Sequence, residues 1–253
     1  MMRFPLSGAA VWLACALWPG DGAALESSRQ ELSEALHARP DLDHGAMLFR
    51  NCAVCHGPSG GGTVDGGVPR IAGQHASVLA KQLVDYRHDR RWDLRMEHFA
   101  DNHHLVDAQA IAHVTNYVHN LSVETPPGVG SGELAEHGAE LYSRRCESCH
   151  GRAAEGNARA LVPRLAGQHY EYLMRQIYDA VDGRRPNFPA VHVRLLARLE
   201  RADIVGVSDF LSRLKVESPP PGPLPAVSRS PPSRPDPSSS GRVAPATKRS
   251  SSP

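Results

Sequence analysis

The chain has 253 residues, with 28 lysines and arginines against 27 aspartates and glutamates and a formal net charge of +1. This near-neutral balance argues against nucleic acid or an anionic membrane surface as the main partner, because both are bound through an excess of positive charge. The length allows either one large domain or two of ordinary size.

The N-terminus has the features of a secretory signal peptide. Arg3 supplies a positive charge, residues 6–18 form a short apolar stretch, and residues 22–24 form a small-residue cleavage region. The apolar stretch is too short to span a bilayer comfortably. We therefore expect residues 1–24 to be removed and the protein to reach the bacterial periplasm, with no transmembrane anchor after cleavage.

The next part of the chain predicts a small helical unit. Apolar residues at helical spacing predict a first helix over residues 41–51, which leads into a CxxCH pentapeptide. A Gly-rich loop follows, then a second helix over 75–86, a loop, and a third helix over 107–121 that opens with Asp107 in the N-cap position. No segment shows the alternation typical of a strand, so the predicted fold class is all-α.

The second half of the chain repeats the first. Residues 68–75 (VPRIAGQH) and 162–169 (VPRLAGQH) align without a gap, and a second CxxCH stands at the same offset. The corresponding helices are predicted over residues 134–145, 169–181 and 202–214. The sequence therefore predicts two homologous domains in tandem, residues 41–122 and 134–215, called domain 1 and domain 2 below.

Two segments are not expected to belong to either domain. Residues 123–133 contain Pro and Gly that neither a helix nor a strand tolerates, and are predicted to form a linker. Residues 216–253 are rich in Pro, Ser and Arg and are predicted to be disordered. Within domain 1, a basic cluster is interpreted as a solvated face or as a docking surface for an acidic redox partner: Arg87, Arg90, Arg91 and Arg95.

Four of the five cysteines lie in the two CxxCH motifs. The motif residues are Cys52, Cys55 and His56 in domain 1, and Cys146, Cys149 and His150 in domain 2. The two thiols of such a motif lie one helical turn apart, close enough to add to the vinyl groups of one haem, while the histidine offers a nitrogen to the iron. The motifs therefore predict two covalently attached haem c groups. A zinc ion shared by both cysteine pairs, or a haem-free dithiol module, remains as an alternative.

These motifs resemble those of a known family. The segments CAVCHG and CESCHG, the PRxAGQH segment after each, and the last helices with Tyr117 and Phe210 resemble the diheme cytochrome c4 family, a tandem of class I cytochrome c domains. The resemblance covers roughly residues 41–215. It implies the cytochrome c fold, a periplasmic electron carrier, and His/Met ligation in each domain. It also implies that Pro69 and Pro163 lie on the proximal side of the haems, where a backbone carbonyl orients the ligating histidine.

The distal ligands are predicted to differ between the domains. The family pattern makes Met96 the expected distal ligand of the first iron. The repeat offset places Ala190 opposite Met96, and no methionine follows Met174. The same offset pairs His192 with His98, so His192 is a candidate ligand of the second iron. An open position, a bound water or an unidentified ligand remains as an alternative.

Two haems in one chain predict an electron carrier that passes single electrons, with no catalytic residues. The expected partners are redox proteins such as a membrane cytochrome complex, a terminal oxidase or a periplasmic dehydrogenase. The alternative function is a haem enzyme or enzyme subunit, whose open second haem binds peroxide or a sulfur or nitrogen oxide. His75 and His169, which repeat at the same position, are expected to make helix-start hydrogen bonds or to contact the haem propionates.

Overall fold

The computed structural model describes residues 20–122 and 124–216, and within them all regular elements are helices, which confirms the predicted fold class. The first five helices are α1 Gly20–His37, α2 Leu42–His56, α3 Ala76–Arg87, α4 Leu94–Ala100 and α5 Ala108–His119. The next five are α6 Ala135–Arg145, α7 Glu147–His150, α8 Tyr170–Val181, α9 Ala190–Leu196 and α10 Arg201–Arg213. No helix in the described stretches is long and apolar enough to cross a membrane. The predicted signal peptide up to residue 19 and the predicted tail beyond residue 216 lie outside them.

Each domain is built around one close crossing of two helices, α2 on α5 and α6 on α10. A glycine at each crossing lets the backbones approach. A Cβ atom at Gly45 would lie 2.3 Å from the carbonyl oxygen of His113, and one at Gly138 would lie 1.9 Å from that of Gly206. A phenylalanine and a tyrosine, with ring centroids 5.5 Å apart, pack together beside each crossing: Phe49 with Tyr117 in domain 1, and Phe210 with Tyr142 in domain 2. The two domains therefore share one core design.

Domain 2 has one extra residue just before its cysteines. Two residues separate Phe49 from Cys52, whereas three separate Tyr142 from Cys146. Helix α2 runs unbroken through the first CxxCH motif, but in domain 2 the helix breaks at Cys146, between α6 and α7. The break absorbs the extra residue, so the second motif keeps the same position relative to the loop that follows it.

Helix α1 has no counterpart in the sequence prediction, which assigns no element to residues 25–40. Leu32 and Ala35 pack into the core of domain 1. The Glu31 carboxylate bonds to the Arg87 guanidinium and, at 2.8 Å, to Nε2 of His88. The predicted cleavage site lies inside α1, so cleavage there would leave most of this helix packed on domain 1.

The short helices α4 and α9 lie where the sequence predicts only loops. Each has seven residues. The Asp93 carboxylate caps α4 by accepting the backbone N–H groups of Arg95 and Met96. Helix α9 begins after Pro189 and packs on α8. These two helices carry the candidate distal ligands.

The described residues 124–133 of the predicted linker contain neither helix nor strand. It is held by hydrogen bonds to domain 2. The buried Asp209 carboxylate accepts the N–H groups of Gly130 at 3.0 Å and Gly132 at 2.6 Å. The N–H of Gly128 donates to Nδ1 of His169 at 3.0 Å. The linker thus has a fixed path along domain 2.

Candidate haem sites

The first CxxCH motif forms the end of α2. Cys52 is half-buried against the core of domain 1, whereas Cys55 is exposed. His56 is only 5% exposed, and its Nδ1–H donates to the carbonyl oxygen of Pro69 at 2.9 Å. Because Nδ1 carries the proton, Nε2 keeps a free lone pair, which is the form that binds a metal. Burial lowers the pKa of His56 and so also favours the neutral imidazole.

The second motif repeats this geometry. His150 is 8% exposed, and its Nδ1–H donates to the carbonyl oxygen of Pro163 at 3.1 Å. Burial raises the pKa of both Cys52 and Cys146 to about 11, so both thiols are neutral in the metal-free protein. Among the described residues the two cysteine pairs do not converge on a common metal position. The shared zinc ion weighed as an alternative is therefore wrong.

The candidate distal ligand of domain 1 lies at the start of α4. Met96 is half-buried there. Its neighbours Asp93 and Arg95 both act electrostatically on His56, the first raising and the second lowering the pKa of the imidazole. The beginning of α4 therefore lies near the proximal histidine, as a distal methionine requires.

The candidate distal ligand of domain 2 lies close to its proximal histidine. The ring centroids of His192 and His150 are 6.1 Å apart, with 39° between the ring planes. The ring of Phe188 packs on His192 with a centroid distance of 5.0 Å. Burial lowers the pKa of His192 to about 4. The pair forms the only close contact between a CxxCH histidine ring and another ring in the described residues.

The structure corrects the register predicted for His192. One residue lies between Arg91 and the N-cap of α4, whereas three lie between Arg185 and the N-cap of α9. The gap-free offset used for the prediction misses this insertion. Met96 and His192 are each the third residue of a seven-residue helix, so His192 is the counterpart of Met96 rather than of His98.

The repeated PRxAGQH segments join the two domains. The Gln74 side chain accepts the N–H of Arg164 and donates to its carbonyl oxygen, both at 2.9 Å. Gln168 makes the equivalent pair with Arg70, at 3.0 and 2.8 Å. The next histidine in each repeat also reaches across at 2.7 Å, His75 to the carbonyl of Glu155 and His169 to that of Gly61. The contacts are reciprocal, so an approximate twofold axis relates the domains. His75 and His169 are the N-cap residues of α3 and α8, as their predicted helix-start position requires, but neither side chain caps its helix, and both rings bridge the domains instead.

Part of the basic cluster predicted as a solvated face is buried in this interface. Arg91 donates to the hydroxyl of Tyr172 at 2.8 Å and to Gln176 at 2.9 Å, both in domain 2. Its repeat counterpart Arg185 lies nearby, and burial together with Arg91 lowers the pKa of Arg185 to about 10. The solvated-face interpretation is therefore wrong for Arg91, and it is also wrong for Arg87, whose buried guanidinium is bonded to Glu31.

The buried arginines leave hydrogen-bond donors unused. The Nε atoms of Arg70 and Arg185 are buried and have no hydrogen-bond partner among the described residues. Buried, unpaired cationic donors fit an anionic carboxylate, and a haem carries two propionates. Together with the oriented imidazoles of His56 and His150, these donors make the site residues fit a haem in each domain.

Comparison with known proteins agrees with this geometry. The Cytochrome c family profile matches residues 42–122 and 135–215. Cytochrome c4 of Azotobacter vinelandii is 30% identical over 192 residues, which covers 70% of this chain and 91% of that protein. A thiosulfate dehydrogenase electron acceptor of Stutzerimonas stutzeri is 33% identical over 216 residues, which covers 78% of this chain and 94% of that protein. The crystal structure of reduced recombinant cytochrome c4 from Pseudomonas stutzeri superposes with a TM-score of 0.63 at 25% identity, covering 70% of this chain and 100% of that one.

The matches cover both CxxCH motifs and both proximal loops. They confirm the predicted cofactors, two covalently attached haem c groups, and the predicted function of electron carrier. The chain therefore belongs to the diheme cytochrome c4 family.

Proposed function

We propose that this cytochrome is exported to the periplasm and takes single electrons from a dehydrogenase that oxidises a reduced sulfur compound. It would then deliver them to a membrane cytochrome complex or a terminal oxidase. The observation that carries the electron-carrier role is the pair of buried CxxCH histidines, each of which donates Nδ1–H to a proline carbonyl. The similarity to a thiosulfate dehydrogenase electron acceptor over 94% of its length supports the choice of electron donor.

We assign the site residues as the motifs suggest. Cys52 and Cys55 attach the first haem, and Cys146 and Cys149 attach the second. His56 and His150 are the proximal ligands, and Met96 is the distal ligand of the first iron. When bound, each haem supplies an iron that accepts and returns one electron.

The polypeptide contributes orientation and a fixed separation. Pro69 and Pro163 hold the two imidazoles in one tautomer and one direction. The reciprocal glutamines hold the domains in one arrangement. Burial of the histidines keeps water from the proximal side, so little solvent reorganises when the charge on the metal changes. All three contributions favour fast electron exchange over substrate chemistry.

The enzyme alternative requires an open distal position on the second haem. The ring of His192 lies 6.1 Å from that of His150, where it would fill this position, and this favours a carrier without a catalytic site of its own. Cyanide provides the test, because it binds an open ferric haem readily. We expect the spectrum of the oxidised full-length protein to be unchanged by cyanide on the minute timescale. A high-spin ferric signal that shifts with cyanide would instead support the enzyme.

The cofactor and export proposals share one experiment. The full chain is expressed with cytochrome maturation machinery and recovered from the periplasm for intact-mass and pyridine haemochrome analysis. We expect two haems per chain and an N-terminus near residue 25. One haem per chain, or none, would overturn the site assignment, and cytoplasmic accumulation would overturn the export.

The ligand role of Met96 has a matched control. Met96→Ala should make the first haem high-spin and lower its reduction potential, because a thioether ligand favours ferrous iron. Met47→Ala removes a methionine that is 53% exposed on α2, and should change neither property. Equal effects of the two substitutions would contradict the assignment.

The donor proposal is tested with purified thiosulfate dehydrogenase. The reaction mixture contains the enzyme, thiosulfate and the oxidised diheme protein, and haem reduction is followed by its visible absorbance. Rapid reduction that depends on thiosulfate is expected. Reduction no faster than in the absence of enzyme would remove this donor but leave the electron-carrier function intact.

A further inference from the structure

We propose that His192 is the distal ligand of the second haem, so that domain 2 holds a bis-histidine iron while domain 1 holds a histidine–methionine iron. The inference rests on the proposed binding of the second iron by His150. It assigns a ligand that departs from the His/Met pair implied for both domains by the family resemblance.

The spacing of the two rings fits a metal between them. A histidine nitrogen binds a transition metal at roughly 2 Å, and the nitrogen lies about 1 Å from its ring centroid, so two imidazoles on opposite sides of one metal have centroids about 6 Å apart. The observed separation of His150 and His192 is 6.1 Å. Because Nδ1 of His150 is bonded to Pro163, its free nitrogen is the Nε2 that would face the metal.

The ring nitrogens of His192 are also free. No described residue makes a hydrogen bond to them, although the side chain is half-buried. His75 and His119 provide a contrast at similar spacing, with centroids 6.3 Å apart. Each of those rings bonds to a backbone carbonyl, of Glu155 and of Gln74 respectively. Spacing alone therefore does not indicate ligation, but spacing together with unused nitrogens does.

The position of His192 in the fold supports the same role. It is the third residue of α9, as Met96 is the third residue of α4. The two extra residues before α9 include Phe188, whose ring packs on His192 and fixes its direction. The insertion thus moves a histidine into the place that a methionine holds in domain 1.

His98, which only the gap-free offset pairs with His192, behaves differently. The side chain of His98 is 63% exposed. Its Nδ1 lies 3.9 Å from a carboxylate oxygen of Asp101, and its ring packs on that of His104 with centroids 4.5 Å apart. His98 therefore serves as the matched control for substitution of His192.

Different ligand pairs would give the two haems different reduction potentials. Methionine stabilises ferrous iron more than imidazole does, so domain 1 would have the higher potential and domain 2 the lower. Electrons would then be favoured to enter through domain 2 and to reside on domain 1.

The first test is magnetic circular dichroism and electron paramagnetic resonance of the oxidised full-length holoprotein. We expect one histidine–methionine centre and one bis-histidine centre, both low-spin. A second centre that is high-spin, or two histidine–methionine centres, would overturn the inference.

Variants then assign the bis-histidine signal to one residue. His192→Ala should convert that signal to a high-spin one, and added imidazole should restore the low-spin state. His192→Met should keep the second haem low-spin and raise the lower reduction potential toward that of domain 1. His98→Ala should change neither the spectra nor the potentials. A bis-histidine signal that survives His192→Ala would overturn the inference. If the His192→Ala variant does not accumulate, the same criterion applies to His192→Met. A bis-histidine signal that survives this substitution would overturn the inference.

The outcomes separate this inference from the proposed function. Intact mass counts the haems independently of their ligands. A single haem per chain would contradict the proposed site assignment as a whole. Two haems without a bis-histidine signal would contradict only the role of His192.

Discussion

The hydrogen bonds between the domains predict that Gln168→Ala lowers the free energy of unfolding. The Gln168 side chain is 9% exposed and satisfies both the N–H and the carbonyl oxygen of Arg70, which is itself buried. Alanine removes both bonds to Arg70, and also the bond that the amide oxygen accepts from the N–H of His169, and so leaves buried backbone groups without this partner. Each lost bond costs about 1 kcal/mol net, and the stranded buried groups add to this. We expect the free energy of unfolding to fall by about 2–4 kcal/mol.

The equivalent change in domain 1 should cost less. Gln74 makes the same two bonds to Arg164 but is only half-buried, so water can replace the lost side chain. We expect Gln74→Ala to cost about 1–2 kcal/mol. Gln109→Ala is the control, because that side chain makes a single bond, to the carbonyl of Arg39 just before domain 1, and takes no part in the contacts between the domains.

Urea unfolding of the three holoprotein variants, followed by far-ultraviolet circular dichroism, measures these differences. The predicted order of loss is Gln168→Ala, then Gln74→Ala, then Gln109→Ala. If Gln168→Ala cost no more than the control, the interface bonds would not hold the domains together and the argument from their reciprocity would fail.

Three further changes test other parts of the fold. Gly138→Ala places a Cβ against the carbonyl of Gly206 and should cost about 3 kcal/mol in urea unfolding of the holoprotein. Asp209→Ala removes the buried acceptor of two linker N–H groups and should speed proteolysis within residues 126–133, with a loss of about 2–3 kcal/mol. Glu31→Ala removes the partner of Arg87 and should raise hydrogen exchange in α1, with little change in either haem spectrum.

The features predicted correctly from the sequence depend on local patterns. The CxxCH motifs are contiguous, so their chemistry can be inferred without knowing the fold. The N-cap role of Asp107 is also local, and the structure bears it out with a bond from the N–H of Ala110 at 2.8 Å. The two-domain repeat follows from comparing the sequence with itself. These predictions need no knowledge of which segments meet in space.

The missed features depend on distant contacts or on short helices. Gln74 and Gln168 bond across the domains, and nothing next to them in the sequence identifies the partner. The repetition of a polar GQH triplet was a usable signal, because repeated polar residues away from the cysteines indicate a shared contact. Helix α4 is too short for apolar periodicity to indicate it. The available signal was Asp93 followed four residues later by Glu97, whose carboxylate accepts the N–H of Asp93, one residue further along than in a capping box.

The two repeats differ most where the distal ligands lie, and the fold explains how this is possible. The Gln74 and Gln168 contacts depend on each other's geometry, so a shift in one repeat would break bonds in both. Helix α9, by contrast, packs on α8 of its own domain. The segment before α9 touches domain 1 through Asn187, which donates to the Asp85 carboxylate at 2.7 Å, but it takes no part in the reciprocal glutamine contacts. An insertion there can therefore exchange the ligand while those contacts stay in place. It follows that His192→Met should change the potential of one centre while the arrangement of the two domains stays the same.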